Sequence, residues 1–135
     1  MSLTRDQILD AKDRTLEPVD VPEWGGTLYL QQMSAAQAAT FRAAMLQAVD
    51  SQTASIVDAE LLTRMERRVV AWCATDADGK RLFTDEDADT LLGDKSPAVI
   101  TRLSEKALEL SALTEEPDTR KKKSAKTPSK SSGTG

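Results

Sequence analysis

Apolar residues recur at helical spacing in three stretches of this chain and alternate at strand spacing in one. The strongest period runs through Leu61, Leu62, Met65, Val69, Trp72 and Cys73, and predicts a helix over roughly 56–74 with Glu60, Arg64, Arg67 and Arg68 on its opposite face. A second stripe, Ala38, Phe41, Met45, Ala48 and Val49, follows Ser34, with Gln37 placed to complete a capping box. A third, Val99, Ile100, Leu103, Ala107, Leu110 and Leu113, follows Ser96-Pro97, a cap residue with proline in the first turn. Two shorter helices are marked by their caps. Thr4 and Gln7 open one at about 5–13, where Leu3 can pack on Ile8. Thr84 opens one over Asp85–Leu92, with acids in the first turn where the helix dipole favours them and Gly93 at the stop.

Between the first two helices the period changes to two. Val19-Asp20-Val21 and Thr27-Leu28-Tyr29-Leu30 flank Pro22–Gly26, and the glycine pair supplies positive φ, so a hairpin with a five-residue connection is predicted at about 18–32. A lone hairpin is marginal in water and must pack on the helices. Asp50–Ser55 reads as a polar loop, Asp76–Gly79 as a turn and Lys80–Phe83 as a short extended piece. The expected fold is therefore mainly α with one small β-hairpin (α+β), a single compact helical domain over 1–114. Beyond it, the Lys/Ser/Thr/Gly/Pro-rich residues 115–135 hold too little apolar surface to offset ordering, and a disordered tail is predicted.

Charge divides the chain at nearly the same place. All 22 acids lie in residues 1–119 with 12 of the 18 bases, a net charge of −10 there, while residues 120–135 carry six bases and no acid. A body this acidic disfavours nucleic acid and anionic membrane as partners. No apolar run reaches membrane-spanning length, and Met1–Asp6 lacks the basic-then-apolar pattern of a secretory signal. A lone Cys73 leaves no internal disulfide, so a cytoplasmic setting is expected. Lys121, Lys122, Lys123, Lys126 and Lys130 could touch RNA or an acidic partner, but a solvated linker is the commoner meaning of such a run.

Candidate chemistry is sparse. The chain has no histidine, which removes triads, histidine metal sites and the commonest general base. Cys73 sits on a core stripe, where a buried thiol is unreactive. Asp76, Asp78 and Asp85 fall at the third, fifth and twelfth positions of a calcium loop centred on Gly79, but the first position is Ala74 and the last lacks the bidentate glutamate, so an Asp-Gly turn is the better reading. Gly25-Gly26 is too short to cradle a phosphate. No enzyme, cofactor or metal is expected. Trp24 and Tyr29 either fold onto the helices or present an aromatic binding anchor. Apolar residues outside the stripes, Leu46, Val70 and Leu108, are candidates for a groove that accepts a partner helix.

Leu3–Leu9, the Val19–Gly26 segment with its following strand, and Asp78–Asp87 resemble the tail assembly chaperones of long-tailed, siphovirus-like bacteriophages and prophages, Val-Pro-Glu-Trp-Gly-Gly being the most specific part. The resemblance spans about 110 residues and is weakest in alanine-rich Ala35–Val49. It implies binding to the tape measure protein, keeping that long helical client soluble, and recruitment of major tail tube protein subunits. It also implies action in the host bacterial cytoplasm, absence from the mature virion, and a longer product made by ribosomal frameshifting, for which a lysine run such as 121–123 would be a fitting site. The alternative is a small structural component of the tail or connector. Self-association is left open by the sequence.

Overall fold

The computed structural model describes residues 1–113. Helix α1 (Arg5–Asp10) leads into strand β1 (Leu16–Val21), a 3-10 turn (Pro22–Trp24) and strand β2 (Gly26–Gln31). Helix α2 (Ala35–Ala48) is followed by two-residue strands β3 (Val49–Asp50) and β4 (Ser55–Ile56). Helix α3 (Ala59–Cys73) runs directly into strand β5 (Ala74–Thr75), and helix α4 (Asp85–Thr90), a 3-10 turn (Leu92–Asp94) and helix α5 (Pro97–Leu110) complete the order. The α+β class is as expected. The tail expected at 115–135 lies outside the described residues.

Three helices are opened by full capping boxes. Thr4 with Gln7, Ser34 with Gln37 and Thr84 with Asp87 each pair the cap side chain with a backbone N–H and the third residue's side chain with the cap's own N–H. Asp58 caps α3 by accepting from the Leu61 N–H at 3.0 Å. That helix starts later than its period suggested, because Ser55–Ile56 pairs back onto Val49–Asp50 across a polar turn. The turn closes itself: Asp50 Oδ1 accepts from the Gln52 N–H at 2.9 Å, and the Thr53 and Ser55 hydroxyls are 2.7 Å apart. Asp50–Ser55 is thus the head of a minimal hairpin.

Other boundaries shift for local reasons. Helix α1 ends at Asp10 and buries no residue; Leu3 and Ile8 both remain exposed, so no staple shields them. The hairpin connection is four residues, since Gly26 already pairs with Val21, and only Gly25 takes a positive φ, +81°. Strand β1 extends back past Pro18, which is tolerated because β1 is an edge strand paired only to β2. Helix α4 is shorter than predicted, and Gly93 lies inside the following 3-10 turn with φ outside the left-handed range. Ser96 makes no side-chain cap bond, leaving Pro97 as the start signal that operates.

The sequence shows the two hairpin strands; the structure adds a third to their sheet. Strand β5 pairs antiparallel with β2, Tyr29 opposite Thr75 and Leu30 opposite Ala74, so the sheet order is β1-β2-β5. Leu28 and Leu30 turn into the core, and helix α3 packs over them. From Val69 to Cys73 every residue of α3 is buried, so its last turn is apolar on all sides rather than along one stripe. Helices α2, α4 and α5 each pack on α3. Cys73 lies in this core, where burial pushes its thiol up to about 12, as expected of a structural cysteine.

Polar contacts lock the layers together. Arg81 donates from Nε and Nη2 to the Ala71 carbonyl at 3.2 and 3.0 Å, satisfying an orphan carbonyl at the end of α3, and also pairs with Asp85 at 2.9 Å. Arg67 Nε donates to the Ala88 carbonyl at 3.1 Å, and Arg67 and Arg68 both approach Asp89. Arg67 and Arg68, expected with Arg64 on a free face of α3, instead hold α4, while Arg64 stays exposed. On the other side, Arg102 of α5 grips Glu23 of the hairpin turn through two 2.9 Å hydrogen bonds, and Lys106 meets Glu17 at 2.8 Å.

Two predictions follow from this packing. Leu103→Ala, at a fully buried α5 position, lowers unfolding stability by about 2–5 kcal/mol in urea titration. The Arg102 hydrogen bonds hold the Glu23 carboxyl down, from the usual 4.5 to about 2. A depressed acid contributes stability above its unfolded value and loses it as pH falls through the folded one. The stability lead of the native chain over Arg102→Ala is therefore full at pH 6 and shrinks between pH 4.5 and 2, read as urea midpoints on both proteins.

Candidate interaction groove

Helices α2 and α5 each pack on α3 but scarcely touch each other, and the space between them is a trough of about 650 Å³. Its floor is Met65 and Val69 of α3, both buried, with Ser104 of α5. Phe41, Met45 and Val49 form one wall, Leu108 and Leu113 the other, and Leu62 lies at one edge. These wall residues are half-buried, so the trough is lined by apolar side chains that the fold leaves partly in contact with water. At the start of α2 the Met33 N–H donates to Ser111 Oγ at 3.0 Å, tying the two walls together.

The groove arises from residue sizes. Helix α2 meets α3 through Ala44 and Ala48, whose small side chains allow close approach but fill little space beside it. The larger Phe41 and Met45 lie next to this seam and border the gap. Of the lining residues only Glu66 and Glu105 are charged, one on α3 and one on α5. Thr101 Oγ1 donates to Glu66 Oε2 at 3.5 Å, and among the described residues neither carboxylate has an ion-pair partner.

The residues singled out from the sequence fall in different places. Leu108 lines the groove. Leu46 is 77% exposed on α2 but outside the lining. Val70 is fully buried, so it is no surplus surface residue; it belongs to the turn of α3 that is enclosed on every side. Trp24 is half-buried in the hairpin turn and packs against the core. Tyr29 is half-buried on β2 opposite Thr75, and its carbonyl accepts from Thr75 Oγ1 at 3.4 Å. Neither aromatic borders the groove. Phe41, Met45, Leu62 and Leu113 were legible only as stripe residues; the signal that they border a gap is the alanine content of the facing α2 positions.

The aspartate-rich turn uses its oxygens internally. Asp76 Oδ1 accepts from the N–H groups of Asp78 and Lys80 at 2.9 and 3.0 Å, and Gly79 takes φ +83°. The Lys80 N–H is the chief reason the Asp76 carboxyl lies below its ordinary range. Asp85 is likewise lowered, first by the Arg81 hydrogen bond, and serves α4 and α3 rather than a loop centre. Among the described residues no helix is long and apolar enough to cross a membrane, and no cluster of acids and cysteine could hold a metal ion.

A solved structure, that of the bacteriophage HK97 tail assembly chaperone, shares this fold at 22% identity with a TM-score of 0.58, over 78% of this chain and 94% of that one. No curated protein matches the chain. The profile of the phage tail assembly chaperone family matches residues 5–123, which take in every helix and strand of the described residues and both walls of the groove; the chain belongs to that family.

Proposed function

We propose that this chain serves phage tail assembly by holding the tape measure protein, keeping it soluble and helping to bring major tail tube subunits to it. Family membership supports the chaperone role. The observation that carries the finer reading is the half-buried apolar trough between α2 and α5 over α3. An amphipathic helix laid there would meet apolar side chains on three sides and complete a four-helix packing, which is the helix-in-groove mode of recognition. A long helical client offers such stripes repeatedly along its length. Binding of this kind requires no catalytic group, cofactor or metal. Leu108 is the residue named from sequence that the groove uses, with Phe41 and Met45 facing it. Leu46, Trp24 and Tyr29 lie elsewhere and suit a second contact, such as one with tube subunits. The chain acts in the host cytoplasm and leaves before the virion is complete. A longer frameshifted product would carry further contacts beyond the described residues.

Co-expression with the tape measure protein tests the reading. The native chain keeps the client in the soluble fraction, while Leu108→Asp combined with Phe41→Asp sends most of it to the pellet, the variant itself remaining folded by circular dichroism. A client equally soluble without this chain defeats the proposal. Mass spectrometry of purified virions provides a second readout, in which a chaperone is absent and a structural tail component is present.

A further inference from the structure

We infer that Glu66 and Glu105 make the groove selective for an amphipathic helix whose apolar stripe is flanked by lysine or arginine. The inference rests on the groove being the client site and adds the chemistry of the occupant.

Three observations support it. The two carboxylates come from different helices, α3 and α5, and are the only charges in a mostly apolar lining. Neither has an ion-pair partner among the described residues. The chain up to residue 119 carries a net charge of −10, which favours a cationic partner. A cationic helix entering the trough buries its apolar side chains against Met65 and Leu108 while its lysine stems run along the walls and place ammonium groups at the two carboxylates. A helix with acidic flanks meets like charge at both positions and is rejected.

The Thr101 hydroxyl contributes to the arrangement. Its contact with Glu66 spans from α5 to α3, one turn from Glu105 on the same helix, so it steadies one carboxylate near the other.

The test uses the full chain and two synthetic 18-residue helices with the same leucine and alanine stripe, one flanked by lysine and the other by glutamine. Fluorescence anisotropy at about 50 mM salt, where screening is weak, gives their affinities for the native chain and for the double variant Glu66→Gln/Glu105→Gln. Both substitutions are isosteric and lie at the surface of the groove, and circular dichroism checks the fold. The expected result is that the native chain prefers the lysine helix by about two- to thirtyfold, the range for two partly exposed ion pairs, and that the double variant binds both helices equally. Equal binding of the two helices by the native chain overturns the charge selectivity and leaves the groove as a client site. Failure of both helices to bind overturns the groove reading as well.

Changing Lys121, Lys122, Lys123 and Lys126 to Gln leaves the affinity unchanged if the occupant is a client helix. A tenfold rise would instead make this chain's own C-terminal segment the partner of the rim, and a fall in affinity with increasing protein concentration would make it a second copy. Either overturns the assignment.

Discussion

The rest of the structure depends on enclosing the last turn of α3. A helix end is an awkward thing to bury, since its final carbonyls have no partners within the helix. Here Val69–Cys73 are all inside, and the chain passes into β5 without a surface loop. Two devices make that possible. The Ala74 N–H bonds back to the Val70 carbonyl, and the Arg81 guanidinium reaches the Ala71 carbonyl from outside. Leaving such groups unpaired in an apolar interior costs about 1–3 kcal/mol each. Arg81 also holds Asp85 at the start of α4, so the group that completes α3 helps to place the next helix.

Once α3 is central, the remaining elements are constrained. The hairpin covers one side through Leu28 and Leu30, and α5 covers another through Val99, Ile100, Leu103 and Ala107. The pairs Glu23–Arg102 and Glu17–Lys106 then set how α5 lies against the hairpin. Helix α2 has less to bury. Only Ala44 and Ala48 are fully buried along it, and its start is held by the Ser34–Gln37 box and by Ser111. Small contact residues contribute little apolar area, roughly 25 cal/mol for each Å² buried. Helix α2 therefore closes its contact with α3 but not with α5, and the trough is the space left over.

Much of this was readable along the chain. The periods of α3 and α5 and the three capping boxes are local signals, since each depends on residues within a few positions of one another. The hairpin likewise announced itself through Gly25 and the alternation about it. Strand β5 did not, because Ala74-Thr75 has no alternation and becomes a strand only when β2 is already beside it. The burial of Val70 and the recruitment of Arg67 and Arg68 were illegible for a related reason: a stripe shows one packed face, and the last turn of α3 is packed on all sides. The groove was the least legible feature. Leu108 was picked out as surplus, but Phe41 and Met45 looked like ordinary core, and only the alanine-rich α2 reports that nothing faces them.

An apolar groove of this origin has a different relation to sequence from that of a catalytic site. A catalytic constellation requires particular atoms at particular places, and a single change abolishes it. A groove formed by helix spacing needs only that the residues holding α2 to α3 stay small and that those on the walls stay apolar, and volume-conserving apolar exchanges are well tolerated. The wall residues can drift among Leu, Met and Phe while the trough persists. The charged rim is less forgiving. Neither Glu66 nor Glu105 is ion-paired within the described residues, and Glu66 is tied to α5 by the Thr101 hydroxyl. If a cationic helix is the occupant, these two acids answer to what enters the groove rather than to what builds it.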